Sequence, residues 1–440
     1  MRILLVVYDN DSYIHWFPQG TAYIAAALRN AGHEVTIYQQ DVHHWPETHL
    51  TNYLDANKFD GVGVGVIGGY YQFAKLLKIA DAINKSKHRP FFVLGGHGPS
   101  PEPEYFLKRT GADAVLMGEG ERIVATLFEQ QQRGMYKGSG QADVDTLPMP
   151  AYDLFPIEYY RLMRMPKCKN ADFVMPVLSG RGCPFKCNFC YRMEKGFRAR
   201  NVDAIVAEVK LLQNRYGVTY VAFSDELLMS SVERTEQMCR ALKPLGVRWE
   251  CNGRLNYAEK NLLELMRDAG CVFVNYGIEA VDDRSLRMMN KALTVGQITR
   301  GIENTLEAGL SPGFNIIWGN LGDTLETLEN GVKFLLKYDD GAQLRTIRPV
   351  TPYPGSPLFA EAVKRGALGG VADFYESKHV NSDLASVQFT GLSDFEFHAA
   401  LCRANKRLLR NYYLKQHGRA VEQTEKLYAG DTGFRGYRQT

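Results

Sequence analysis

Short apolar runs alternate with amphipathic helical stretches along this chain, and they do so twice, on either side of an aperiodic stretch. A strand that is followed by a helix before the next strand pairs in parallel, because a parallel connection must cross back over the sheet. In the first block the apolar runs are Arg2 to Val7, His33 to Tyr38, Gly61 to Val66, Pro90 to Leu94 and Ala114 to Met117. Helical stretches run from Gly20 to Ala31, from Gln72 to Asn84 and onward from Glu121. Residues 1–131 are therefore expected to form an α/β domain, a doubly wound parallel sheet of five strands. Residues 132–171, with Gly138-Ser139-Gly140, Pro148 and Pro150, show no sustained period and read as a linker lying across two domains.

The second block predicts strands at Phe173 to Leu178, Tyr220 to Ser224, Trp249 to Asn252, Phe273 to Gly277, Gly313 to Trp318 and Leu344 to Arg348. Helical stripes such as Ile205, Val209, Leu212 and Tyr216 fall between them. Over residues 172–360 this gives a partial (β/α)6 barrel, with ligand-binding loops at the C-terminal strand ends. Residues 361–440 read as a small, mostly helical C-terminal region.

Composition narrows the function. An apolar fraction of 45% and a charged fraction of 23% belong to a globular chain. A net charge of +3 argues against a protein built to grip nucleic acid. The opening apolar run ends at Tyr8-Asp9-Asn10-Asp11, too soon for a secretory signal, and no stretch reaches the roughly 20 apolar residues of a membrane span. Eight cysteines, three of them crowded together, point to a metal site in a reducing compartment rather than to disulfides, so a cytoplasmic location is expected.

The crowded segment is Gly180-Arg181-Gly182-Cys183-Pro184-Phe185-Lys186-Cys187-Asn188-Phe189-Cys190-Tyr191, directly after a predicted strand. Three thiolates in one loop can hold three irons of a cubane cluster and leave the fourth open. An open iron can chelate an amine and a carboxylate, which S-adenosylmethionine offers. The competing readings are a structural zinc site, which wants a fourth ligand that Cys168 is poorly spaced to give, and chance clustering. Cys239, Cys251, Cys271 and Cys402 read as small apolar residues, Cys251 with some claim to a site because it ends a strand. Arg345 and Arg348 end the sixth predicted strand, where an anion contact and a structural ion pair are both open.

In the first domain Gly68-Gly69, Gly95-Gly96-His97-Gly98-Pro99-Ser100 and Gly118-Glu119-Gly120-Glu121 each follow a predicted strand, at the sheet edge where doubly wound folds bind ligands. Ser100 is placed to cap the helix expected near Pro101. The absence of Gly-x-Gly-x-x-Gly after the first strand argues against a nicotinamide.

The cysteine spacing, with aromatic Phe189 before the third cysteine, resembles the signature of radical S-adenosylmethionine enzymes. Ala222-Phe223-Ser224-Asp225-Glu226, Asn252 and Arg254, Gly277-Ile278-Glu279-Ala280, Gly319-Asn320-Leu321-Gly322-Asp323-Thr324 and Pro352-Tyr353-Pro354-Gly355-Ser356-Pro357 are similar to that family's later barrel motifs in order and position. The resemblance implies a 4Fe-4S cluster on Cys183, Cys187 and Cys190. It implies S-adenosylmethionine beside Phe189, Asp225, Glu226, Asn252, Arg254 and Glu279.

The first domain resembles the cobalamin-binding domain fused ahead of many such barrels. That implies contacts from Gly68, Gly69, Gly95, Gly96, His97, Gly98, Ser100, Gly118 and Glu119. The Asp-x-His-x-x-Gly motif that gives cobalt a histidine is absent, and Asp9-Asn10-Asp11-Ser12-Tyr13-Ile14-His15-Trp16 stands in its place. A base-off cobalamin is expected, with Tyr13, His15, Tyr70 and Tyr71 as candidates for its lower face.

Together these resemblances imply a C-methyltransferase: one S-adenosylmethionine supplies the methyl group by way of methylcobalamin, and a second gives the 5'-deoxyadenosyl radical. The implied partners are a one-electron reductant such as a ferredoxin or flavodoxin, and a protein or small-molecule substrate. Substrate classes carried forward are a protein side chain, such as a glutamine of methyl-coenzyme M reductase, and a lipid or tetrapyrrole. The alternatives are a non-methylating radical cyclase or rearrangement enzyme and, in another class, a non-catalytic cobalamin sensor.

Overall fold

The five apolar runs of the first block are strands β1 (Arg2–Val7), β2 (Glu34–Gln39), β3 (Gly61–Gly65), β4 (Phe91–Gly95) and β5 (Ala114–Met117) of one parallel sheet. The computed structural model describes residues 1–11, 16–138, 143–431 and 433, the Tyr70 side chain excepted. The sheet has six strands rather than five: β6 (Gly134–Lys137) pairs in parallel with β5, giving the order β2-β1-β3-β4-β5-β6. This strand lies inside the stretch expected to be linker. It is an edge strand whose residues alternate between half-buried and exposed, too short for a period to show. On β1, Leu4 and Val6 pack into one layer and Ile3 and Leu5 into the other, which is why the run is continuously apolar.

Just beyond β2, the helical turn Gln40–His43 buries Asp41 completely, and neither carboxylate oxygen has a hydrogen-bond partner among the described residues. Burial pushes this carboxyl up to about 7. Its folded pKa lies above the unfolded value of 3.8, so the neutral acid suits the fold, and stability is lost as the pH rises from about 4 through about 7. Asp41→Asn removes that loss. Even if relaxation relieves half of the shift, the variant is expected to be about 2 kcal/mol more stable than wild type at about pH 8. It should show no gain near pH 4, as urea unfolding at the two pH values would report.

The second block forms β7 (Val174–Val177), an antiparallel hairpin of β8 (Gly180–Cys183) and β9 (Gly196–Ala199), then β10 (Tyr220–Phe223), β11 (Arg248–Gly253), β12 (Cys271–Glu279), β13 (Ser311–Trp318) and β14 (Ile347–Pro349). Outside the hairpin these six strands pair in parallel in the order β7-β10-β11-β12-β13-β14, the expected partial barrel. Leu344 and Arg345 precede β14 rather than belonging to it. Arg345 is buried against Phe314 and pairs with Asp339 at 3.0 Å and Asp340 at 3.1 Å, so of its two readings the structural ion pair is the one observed. Arg348 pairs with Asp383 in the open. Cys239, Cys251 and Cys271 are all buried in the barrel core.

The C-terminal region is helical, as expected, and touches both domains. Ala362, Leu368, Phe374, Tyr375 and Val387 join a core layer of the first sheet, with Tyr375 stacked on Phe73 at 4.8 Å. A 35-residue helix, Asp394–Tyr428, starts at a Ser393–Glu396 capping box and seats Phe397 on Trp318 of the barrel. Among the described residues no helix is long and apolar enough to cross a membrane.

Candidate active site

The hairpin delivers the first cysteine. Gly182 has φ +84°, and a Cβ there would lie 2.3 Å from the Gly196 carbonyl oxygen, so only glycine lets the two strands close this tightly. The loop beyond Cys183 is fastened from below. The Asn188 N–H donates to the Met289 carbonyl at 2.9 Å, the Asn188 amide to Met288 at 3.1 Å, and the Asn290 amide to the Lys186 carbonyl at 2.8 Å. The Asn188 carbonyl accepts from the Leu358 N–H at 2.9 Å.

Cys183 is half-buried, Cys187 buried and Cys190 exposed, all as free thiols. Burial pushes Cys187 up and, although Cys190 is exposed as a residue, desolvation of its sulfur within the loop takes that thiol to about 11; each is further raised by a neighbouring cysteine. Such thiols need a bound cation to ionise, which iron provides. Among the described residues no three His, Cys, Asp or Glu side chains converge as a single-ion site. A cubane asks for no such convergence, since each thiolate takes a different iron. Cys402 is exposed on the long C-terminal helix, and the Cys168 sulfur accepts the Met165 N–H. The donor set therefore fits a cluster held by three cysteines.

Beside this loop, Asp225 is 1% exposed; its carboxylate accepts from the Ser179 N–H at 2.7 Å and from the Ser179 hydroxyl, tying β10 to the residue before the hairpin. Burial, partly offset by those bonds, pushes it up to about 6. Glu226 is exposed and accepts from the Gly182 N–H at 3.1 Å. The Asn252 amide donates to the Asp225 carbonyl at 2.8 Å, and the Asn275 amide donates to Asn252 at 3.0 Å, a polar row across the strand ends that opens toward Asn315. Arg254 stacks its guanidinium on Phe185 within the cysteine loop. Glu279 sits at a register shift with φ +68° and pairs with Lys291 at 3.1 Å; that ammonium is 5.8 Å from the centre of the Phe189 ring. Of the six predicted barrel residues, Phe189 is part of the cysteine loop and the other five lie around it or its supports.

Asn188, Asn275, Asn290 and Lys291 were not singled out from sequence. Lys291 sits between two left-handed residues, Asn290 at φ +54° and Ala292 at φ +51°, a turn that no periodic pattern announces.

At the edge of the first sheet, the loop after β4 runs hard against the end of β3. A Cβ on Gly96, whose φ is +99°, would lie 2.5 Å from the Val66 carbonyl oxygen, and Gly68 and Gly98 are packed together beside it. Gly69 begins the next helix and Gly95 ends β4. Ser100 does not cap a helix as expected: the helix starts at Pro103 with Glu102 before it. Its hydroxyl donates to the Gly96 carbonyl at 2.7 Å and accepts from the Gly118 N–H at 3.0 Å, joining two of the glycine loops.

His97 meets Tyr191, next to Cys190, edge-on at 6.0 Å between ring centres. The Glu119 carboxylate turns to the hairpin, where it pairs with Arg198 and, at 3.4 Å, with Arg181; Glu121 takes Arg181 at 2.5 Å. Tyr13, His15 and the side chain of Tyr70 lie outside the described residues, and Tyr71 is exposed. The glycine-lined edge and the cysteine loop therefore face one another across a seam that four charged side chains clasp. A flat macrocycle fits such an edge, because no Cβ stands in the way of close backbone approach.

The chain matches the B12 binding domain model over residues 6–128 and the Radical SAM superfamily model over residues 177–335. It is 29% identical over 403 residues to an uncharacterised methyltransferase of Pyrococcus horikoshii, covering 84% of each chain. It is 27% identical over 376 residues to the anaerobic magnesium-protoporphyrin IX monomethyl ester cyclase of Rubrivivax gelatinosus, covering 79% of this chain and 66% of that one. Its fold is that of the radical S-adenosylmethionine methyltransferase TsrM from Kitasatospora setae, with a TM-score of 0.68 at 18% identity, over 83% of this chain and 75% of the other. With a B12-binding domain clasped to the cysteine loop of a radical S-adenosylmethionine barrel, the chain belongs to the cobalamin-dependent radical S-adenosylmethionine enzymes, whose cofactors are a 4Fe-4S cluster, S-adenosylmethionine and cobalamin.

Proposed function

We propose that this enzyme methylates an unactivated carbon, with both cofactor domains engaged in one turnover. Cys183, Cys187 and Cys190 would hold the cluster; Asp225, Glu226, Asn252, Glu279 and Phe189 would shape the S-adenosylmethionine site; and the edge loops Gly68-Gly69, Gly95 to Gly98 and Gly118 would cradle cobalamin. When bound, the cluster supplies the electron that cleaves S-adenosylmethionine, and cobalamin carries the methyl group. The chain's own work is to bring these groups together and keep water out.

The observation that carries the reading is the clasp of Arg181 and Arg198, on the hairpin that bears Cys183, with Glu119 and Glu121 of the other domain. A sensor has no need to fasten its cobalamin edge to a cluster loop. An external one-electron donor, a ferredoxin or flavodoxin, and a cytoplasmic location belong to the same reading.

The expected result under anaerobic turnover is S-adenosylhomocysteine and 5'-deoxyadenosine forming together as methylated product appears, followed by mass spectrometry. Cyclisation is the second reading, favoured by the cyclase relative but weakened because the chain covers only 66% of that protein. Product formation with 5'-deoxyadenosine and no S-adenosylhomocysteine would select it. The same relative favours a tetrapyrrole substrate over a protein glutamine; labelling with methyl-deuterated S-adenosylmethionine in lysate shows which fraction gains mass.

A further inference from the structure

Arg254 is a buried cation that the described residues leave without a carboxylate partner. It is 7% exposed at the end of β11. Its guanidinium lies 3.3 Å from the centre of the Phe185 ring, and one terminal nitrogen donates to the carbonyls of Lys291 and of Ala292, the latter at 3.1 Å. Its Nε is buried with no hydrogen-bond partner among the described residues. Among the described residues no carboxylate pairs with it; the groups that favour its charge are the sulfurs of Cys187 and Cys183 and the Tyr257 hydroxyl. The nearby Lys291 is already matched by Glu279 at 3.1 Å.

A lone buried guanidinium is strongly unfavourable unless a negative charge stands close by. The ring it covers belongs to the residue midway between Cys183 and Cys187, so the charge that answers it is that of the thiolate-ligated cluster. Desolvation of the cation points the same way, since burial lowers the Arg254 pKa while those sulfurs raise it.

We propose that Arg254 is a positioning and charge-balancing residue of the cluster: it clamps the Cys183–Cys187 segment through Phe185 and raises the cluster's reduction potential. This rests on the cluster assignment above. Reduction adds a negative charge to the cluster, and a fixed cation in a low-dielectric site stabilises the reduced form more than the oxidised one. Arginine suits the place because its planar guanidinium can lie flat on the ring while one nitrogen donates to two carbonyls, whereas an ammonium meets the ring only as a compact, strongly hydrated point charge.

The rival role is a contact to the S-adenosylmethionine carboxylate, and measuring the potential without S-adenosylmethionine separates the two. The test is an EPR-monitored redox titration of the full reconstituted chain, wild type, Arg254→Gln and Arg254→Lys, with iron content and S-adenosylmethionine affinity measured alongside. At a fixed potential the reduced-to-oxidised ratio in Arg254→Gln is expected to fall about tenfold, a shift of about 59 mV to more negative potential for one electron. Arg254→Lys is expected to stay within about threefold of wild type, while holding less iron. An unchanged potential in iron-loaded Arg254→Gln together with weakened S-adenosylmethionine binding would overturn the proposal in favour of the carboxylate role. If Arg254→Gln takes up no iron, the lysine variant decides: a near-wild-type potential supports the charge role, while a full tenfold loss, or no iron there either, overturns it. A wild-type chain that takes up no iron defeats the cluster assignment itself, and the proposal with it.

Discussion

Cys187→Ser is expected to lower S-adenosylmethionine cleavage at least about a thousandfold, the scale of removing an essential group, while leaving cobalamin binding intact. Cys187 is the buried member of the triad, in a loop anchored by Asn188 and Asn290 to the segment around Met289, so no neighbouring cysteine can replace it. The remaining cysteines are in the barrel core, on the far helix or beside Met165. A serine hydroxyl stays protonated at neutral pH and is a poor iron ligand, so cluster assembly is lost along with the electron path. The first domain should be untouched, because both core layers of its sheet are built without any residue of the cysteine loop. Iron and sulfide content, 5'-deoxyadenosine by mass spectrometry and the absorbance of bound cobalamin separate these effects. Retained cleavage in the serine variant would remove Cys187 from the ligand set.

The sequence carried the parallel sheets, because a strand buried on both faces has no polar residues to blur its limits, as in Leu4 to Val6 on β1. It carried the cysteine loop, because three thiols within eight positions are chemically conspicuous. What stayed hidden depends on contacts distant in the chain. Strand β6 is half exposed and gains its identity only from pairing with β5. Arg345 could be placed near a strand end from sequence, but its pairing with Asp339 and Asp340 before the strand decides its role. Ser100 sat in the right place for a helix cap and instead bridges two glycine loops, since the helix is delayed to Pro103. Glu119, expected at a cofactor, proved to face Arg181 and Arg198 of the other domain, a partnership 60 or more positions away that no local motif encodes.

The largest stability effect is expected where the aperiodic segment 143–171 meets the barrel. Glu208 on helix Val202–Tyr216 is fully buried, and its carboxylate accepts from Arg200 at 2.6 Å and from the Tyr152 hydroxyl at 2.6 Å. Arg200 also donates to the Leu178 carbonyl at 2.7 Å, so the network ties the segment to both ends of the cysteine-bearing hairpin. Glu208→Ala leaves a buried guanidinium without its counter-charge, and it is expected to cost about 3–5 kcal/mol. Tyr152→Phe removes only one hydrogen bond to a charged group and should cost about 1.5–3 kcal/mol. Replacing both ions with apolar residues of similar size, as in Arg200→Met with Glu208→Leu, should recover most of the loss, because the penalty lies in the orphaned charge rather than in the pair's attraction. Urea unfolding of the four proteins gives the comparison. A Glu208→Ala cost below about 1 kcal/mol would mean that water reaches Arg200 and that the seam is looser than this network requires.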